Sequence, residues 1–266
     1  MYLNTMQNNP KFDSSKRDFG FENVEPEEHK TRVAEVFSSV AENYDLMNDL
    51  MSFGLHRLWK TFLIQKLNPR PYMRLADIAS GTGDIAFRMR DYIEKKEKNK
   101  EAFNPITICD PNTSMLERAK SRAIDRGYLS GFHFLTAAAE DLPFDDRSFD
   151  GATISFGLRN VTDRQAAISN FFRMMDFGGH FLCLEFSPEV LPALKPLYDR
   201  YSMHFLPWLG DKIASDAGSY RYLAESIRRF PNPEALAKEF ENEGFSNISW
   251  YELSGGIVTV HSAWRA

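Results

Sequence analysis

Five short apolar runs separated by amphipathic helical stretches constrain this chain more than any other feature of its 266 residues. The runs are Leu75–Ala79, Ile106–Cys109, Phe132–Ala137, Ala152–Phe156 and Phe181–Phe186. Helical patterns lie between them, near Ile85–Tyr92, Ser114–Arg126 and Arg164–Met175. Runs this short and uniformly apolar fit strands buried on both faces. The alternation therefore predicts βαβ units and a parallel sheet covered on both sides. Gly178-Gly179 predicts a turn before the fifth strand. Two further strands, Ile248–Glu252 and Ile257–His261, flank Leu253-Ser254-Gly255-Gly256 and predict a hairpin. The expected architecture is a Rossmann-like α/β fold: a mostly parallel seven-stranded sheet with a C-terminal antiparallel hairpin.

Two helices are expected ahead of this sheet, within residues 29–69. Val33, Val36, Phe37, Val40 and Tyr44 share one helical face, and Leu55, Leu58, Trp59, Phe62 and Leu63 share another. Residues 1–28 are polar, without the apolar core of a secretory signal, and read as a mobile extension. Residues 191–230 are helical in texture and rich in aromatics, and read as an insertion covering the substrate within the single domain 29–266.

A formal net charge of -5 argues against nucleic acid as a partner. Cys109 and Cys183 sit in apolar runs, which fits reduced thiols in a cytoplasmic protein. The six histidines lack ligand spacing, so no metal is expected. No apolar stretch approaches the ~20 residues a spanning helix needs.

The chemistry concentrates at the carboxyl ends of the expected strands. The first runs into Asp77-Ile78-Ala79-Ser80-Gly81-Thr82-Gly83-Asp84, where Gly81, Thr82 and Gly83 let the backbone turn sharply and approach a ligand. The helix that follows offers free N–H donors to an anion. Asp110 ends the second strand, placed to accept from ribose hydroxyls or simply to cap a helix. After the third strand, Ala138 and Ala139, followed by an acid, can admit the edge of an adenine ring to backbone donors. Ser155 ends the fourth strand and faces the same crevice. These elements together describe a nucleoside site. With Ala at position 86 the turn is G-x-G-x-x-A, which leaves both a dinucleotide and S-adenosylmethionine (SAM) open.

Longer segments narrow the choice. Tyr44-Asp45-Leu46-Met47-Asn48-Asp49-Leu50-Met51-Ser52, Ile154-Ser155-Phe156-Gly157-Leu158-Arg159-Asn160-Val161, Leu184-Glu185-Phe186-Ser187 and Ser219-Tyr220-Arg221-Tyr222-Leu223-Ala224-Glu225-Ser226-Ile227 resemble the ubiquinone/menaquinone biosynthesis C-methyltransferases. The resemblance extends from Val33 to Trp264. It implies a class I SAM-dependent methyltransferase that methylates a ring carbon of a polyprenyl benzoquinol or demethylmenaquinol. SAM contacts would fall at Thr82, Asp110, Ala138, Ala139 and Ser155, with the turn from Asp77 through Gly83 shaping the site. It also implies a homodimer, contact with other quinone-biosynthesis enzymes, and a cytoplasmic protein peripheral to the inner face of the membrane. Ser80-Gly81 replaces a pair of glycines, Ala138 an asparagine and Phe177 a proline.

Ring methylation of a quinol requires an adjacent phenolate, whose charge spreads to the carbon. Arg159 is the first candidate to favour that phenolate, and a structural salt bridge is the competing role. Tyr201, Tyr220 and His204 follow, with Asp216 and His261 as proton carriers. Leu191–Tyr198 and Phe205–Leu209, including Trp208, could wall a groove for an isoprenoid tail or form plain core. The alternatives are a SAM enzyme acting on another phenol or lipid, a non-catalytic scaffold of a quinone-biosynthesis assembly, and a nicotinamide oxidoreductase.

Overall fold

The structure is a computed structural model that describes residues 16–40, 49, 52–96, 103–193, 196, 200–201 and 217–266. Its elements run in the order β1 (Arg17–Phe19), β2 (Glu22–Val24), α1 (Pro26–Val40), α2 (His56–Leu67), β3 (Leu75–Ile78), α3 (Asp84–Lys96), β4 (Ile106–Cys109), α4 (Thr113–Asp125), β5 (Phe132–Leu135) and β6 (Phe149–Ser155). A 3₁₀ turn (Leu158–Asn160) follows, then α5 (Arg164–Met174), β7 (Met175–Phe186), α6 (Ala217–Arg229), α7 (Pro233–Glu243), β8 (Ser246–Leu253) and β9 (Val258–Trp264).

The large sheet has the order β5-β4-β3-β6-β7-β9-β8. The pairings from β5 to β7 are parallel, and β9 runs antiparallel to both β7 and β8. The chain first winds outward from β3 to β5, then returns to β6 on the other side of β3. That reversal opens a crevice at the carboxyl ends of β3 and β6, where doubly wound sheets bind ligands. Ile78 is in register with both Cys109 and Ile154, so the three strands end within one residue of the same level.

Both faces of the sheet are covered, as its apolar strands require. One layer packs Phe171, Phe181 and Phe240 between the sheet and α5 and α7, with Phe171 and Phe181 stacked at 4.8 Å. The other packs Trp59, Leu63, Phe87 and Met89 of α2 and α3. Each such side chain contributes about 1.5–3 kcal/mol when fully buried. The helices begin on chemical cues: Asn112, Asp163 and Asn232 each accept a hydrogen bond from a first-turn N–H, at α4, α5 and α7.

Two expectations need correction. The extension assigned to residues 1–28 is structured from Arg17, where β1 and β2 form an antiparallel hairpin turning at Gly20. Its short polar strands carry no alternation; Phe19, stacked on Tyr222 at 4.4 Å, anchors it. The fifth strand of the large sheet begins at Met175, so Gly178-Gly179 lies within β7. Met175 pairs with Phe149 and His180 with Gly151, and the register shifts between these pairs. Of the Tyr44–Ser52 segment, only Asp49 and Ser52 are described; Leu194, Tyr198, His204, the Phe205–Leu209 stretch with Trp208, and Asp216 lie outside the described residues.

Candidate active site

Ala79 follows β3 with φ 50°, and Gly81 and Gly83 also adopt positive φ. A Cβ on Gly83 would lie 3.0 Å from the Phe87 ring, so the turn packs directly on α3. Phe156 follows β6 with φ 57°. A Cβ on Gly157 would approach the Ala79 Cβ to 2.6 Å. Two non-glycine residues in the left-handed region, side by side at the switch point, are strain of the kind that clusters at ligand sites.

Four polar contacts fix the walls. Asp110 Oδ2 accepts from the Gly81 N–H at 2.7 Å and Oδ1 from the Asn112 N–H at 2.8 Å. Each oxygen keeps a lone pair, as a ribose diol requires. Burial pushes the Asp110 carboxyl up to about 6, against the pull of these two N–H donors. Glu140 Oε1 accepts from the N–H groups of Thr162 and Asp163, at 2.8 and 3.3 Å.

The crevice encloses a cavity of about 310 Å³ that is open on one side. Gly81, Asp110, Ala138, Ala139 and Glu140 line it from the sheet side, and Phe156, Gly157 and Asn160 line it at the end of β6. Its roof is a face of α1: Lys30, Val33, Ala34 and Phe37. Lined largely by apolar groups with a few fixed polar ones, it suits a nucleoside.

The other expected cofactor residues stand behind this wall. Thr82 is buried, and its hydroxyl accepts from the Arg122 guanidinium. Gly83 shapes the turn. Asp77 is fully buried, with Oδ1 accepting from the Thr153 hydroxyl at 2.8 Å. Burial pushes its carboxyl up to about 7. Asp77 Oδ2, Ser80 Oγ and Ser155 Oγ are buried without a hydrogen-bond partner among the described residues. Three unsatisfied oxygens around one turn are costly unless a ligand with donors completes the site, and the ammonium of SAM is such a donor. Asp84 opens α3 and pairs with Lys60 Nζ at 3.0 Å. Burial raises its pKa, but Lys60 and Arg88 outweigh that and hold it well below the ordinary carboxylate range.

Arg159, Tyr201 and Tyr220 do not line the cavity; they gather around Phe186. The Arg159 guanidinium lies over the Phe186 ring, and Tyr201, Tyr220 and Phe186 share an apolar cluster with Leu223 and Ile227. Arg159 Nη1 donates to Glu185 Oε1 at 2.6 Å and to the Phe156 carbonyl at 2.7 Å. The salt bridge weighed as its competing role is therefore present. Arg159 Nε is buried without a hydrogen-bond partner among the described residues. His261 is corrected outright: its Nε2 bonds the Pro233 carbonyl beneath α7, so it belongs to the core. Burial lowers it to about 4, keeping it neutral. The α1 roof and the Glu140 contact were missed. Their only sequence signals are the Val33/Phe37 face and an acid after two alanines.

Among solved structures, a SAM-dependent methyltransferase from Thermotoga maritima matches with a TM-score of 0.58 at 20% identity, covering 88% of this chain and 100% of that one. The [4+2]-cyclase SpnF matches with a TM-score of 0.58 at 16% identity, covering 79% of this chain and 80% of that one. A fold shared with a cyclase does not by itself name a reaction. The strand order, the glycine turn with Asp110 and the unsatisfied donor-seeking oxygens together define the class of SAM-dependent methyltransferases.

The sequence profile of the ubiE/COQ5 methyltransferase family matches residues 25–265, and the chain belongs to that family. It is 48% identical to the ubiquinone/menaquinone biosynthesis C-methyltransferase UbiE of Bradyrhizobium sp., over 93% of this chain and 96% of that protein. It is 46% identical to the mitochondrial 2-methoxy-6-polyprenyl-1,4-benzoquinol methylase of Oryza sativa subsp. japonica, over 94% and 88% of the two chains. The mitochondrial methylase of the same name from Homo sapiens is 41% identical, over 95% and 85%.

Proposed function

We propose that this protein transfers the methyl group of SAM to a ring carbon of a polyprenyl benzoquinol, a demethylmenaquinol or both, in ubiquinone/menaquinone biosynthesis. The relatives named for that reaction support the substrate class. The geometric observation that carries it is Arg159: a buried guanidinium just past β6, beside Phe156 and Phe186, whose Nε–H has no partner among the described residues.

SAM, when bound, supplies an electrophilic methyl on a sulfonium. The chain supplies position and charge. Asp110 and the glycine turn would hold the nucleoside, and the α1 roof would cover it. Phe156 and Phe186, whose rings are 4.8 Å apart, offer apolar faces to a quinol ring. Arg159, held in place by Glu185, sets a guanidinium charge beside Phe156 and Phe186 that favours the phenolate activating the adjacent carbon. Once that carbon has taken the methyl it sheds its ring proton to solvent, which restores the aromatic ring. Phe53 and Leu58, 74% and 66% exposed, offer apolar surface to the membrane that carries the substrate. The resemblance extends the proposal to a homodimer and to contact with other quinone-biosynthesis enzymes.

Replacing Arg159 by lysine tests the assignment, because an ammonium cannot hold Glu185, the Phe156 carbonyl and a phenolate together. Arg159→Lys should lower kcat by about 100-fold, with SAM affinity within a few-fold of wild type. An unchanged kcat would remove Arg159 from the mechanism.

A further inference from the structure

Two carboxylates line the cofactor cavity, Asp110 and Glu140. Asp110 stands at the end of β4, where the ribose is expected. Glu140 stands after β5, the next strand outward, where the base of a nucleoside anchored at Asp110 would extend. Ala138 and Ala139 give that wall no side-chain acceptor, and Glu140 is the carboxylate beside them, with Asn160 and Thr162 also on the cavity lining.

The carboxylate is held on one oxygen alone. Oε1 takes the Thr162 and Asp163 N–H groups, while no hydrogen bond engages Oε2 among the described residues. The backbone beneath it is fixed as well. The Glu140 carbonyl accepts from Asn170 Nδ2 at 2.8 Å, and the Asp141 N–H donates to the Ala138 carbonyl at 3.0 Å. Thr162 is itself pinned, because its hydroxyl bonds His29 Nδ1 at 2.8 Å and its carbonyl accepts from Arg17 Nε at 2.6 Å. A pre-positioned carboxylate with one oxygen free of hydrogen bonds among the described residues, in a largely apolar cavity whose lining also holds Lys30, Asn160 and Thr162, is suited to a neutral donor on the edge of a flat ring. The exocyclic 6-amino group of adenine is that donor.

We propose that Glu140 is a specificity-determining residue of the cofactor site, accepting a hydrogen bond from the 6-amino group of the adenine of SAM through Oε2. It adds a side-chain reader to a wall otherwise limited to backbone donors, and it does not depend on the identity of the methyl acceptor.

The test is calorimetric and needs no turnover. S-adenosylhomocysteine is compared with its 6-deamino analogue, which keeps the N1 acceptor and lacks only the amine. Wild type should bind the deamino analogue about 10- to 100-fold more weakly, the range for a hydrogen bond to a charged group. Glu140→Gln preserves an oxygen for Thr162 and Asp163 but turns an N–H₂ toward the amine. It should weaken S-adenosylhomocysteine by a similar factor, leave the deamino analogue near its wild-type affinity, and so erase the discrimination. A variant that weakens both ligands equally, with the wild-type ratio intact, would make Glu140 a structural brace and overturn the proposal. Wild type that binds both ligands alike would overturn it without any variant.

Discussion

Asp77 has a fully buried carboxyl whose Oδ1 accepts from Thr153 and whose Oδ2 has no hydrogen-bond partner among the described residues. Burial holds it protonated up to about pH 7, whereas in the unfolded chain it ionises near its ordinary value of 3.8. The folded state therefore binds more protons than the unfolded state between these values. Its contribution to stability is full below about pH 4, falls as pH rises to about 7, and stays low above that. Asp77→Asn removes the ionisation while an amide oxygen can still accept from Thr153. Melting of the ligand-free protein should show the variant level with wild type at pH 4 and more stable at pH 8. A constant difference at both pH values would contradict the assignment. Gly157 makes the second prediction at this scale. Its missing Cβ is what allows Ala79 to sit beside it, so Gly157→Ala should weaken SAM binding by about 10-fold or more through displacement of the strained turn. Calorimetry that finds wild-type affinity would show that the two strand ends can part freely. Gly81, Asp110 and the two alanines were legible in the sequence because each follows an apolar run by a fixed short offset. Arg159 was legible only as two alternatives, since its partner Glu185 lies on the neighbouring strand and 26 residues away.

Among the elements, α2 is fastened by means that its apolar stripe does not reveal. Lys60 lies on its buried face and reaches Asp84, the first residue of α3, while Trp59 Nε1 donates to Ser254 in the β8–β9 turn at 2.9 Å. The glycine turn is thus braced by a buried ion pair. Removing one partner leaves the other charge uncompensated, which costs about 3–5 kcal/mol. Lys60→Met should therefore lower stability by that order in denaturant titration, and the double change Lys60→Met with Asp84→Asn should recover a measurable part. A single variant as stable as wild type would show the pair to be dispensable. The β1–β2 hairpin is the clearest case of structure the sequence did not announce. Strands of three polar or mixed residues carry no period, and tertiary contacts decide them: Phe19 on Tyr222, Arg17 on Thr162, and the Phe21 N–H on Glu225. By holding Thr162, this hairpin also supports the wall that Glu140 belongs to.

For the molecule as a whole, the order of strands explains why one chain can hold a nucleoside and an aromatic acceptor side by side. The reversal at β3 and β6 puts the cofactor turn on one strand end and the Phe156–Asn160 segment on its neighbour, and α1 closes over both. The parallel sheet and its C-terminal hairpin were readable because strands buried on both faces become unbroken apolar runs. The α1 roof was not readable, because an amphipathic helix states that it packs without stating against what. Among the described residues, no helix is long and apolar enough to cross a membrane. Methyl transfer to a ring carbon is the central claim, and the most direct measurement is the mass and carbon spectrum of the product formed when the protein, SAM and a reduced short-tail demethyl-quinol are mixed. It predicts a gain of one methyl group, attached to a ring carbon. A methyl found on oxygen, or SAM bound with no methyl transferred to benzoquinol or naphthoquinol, would contradict it.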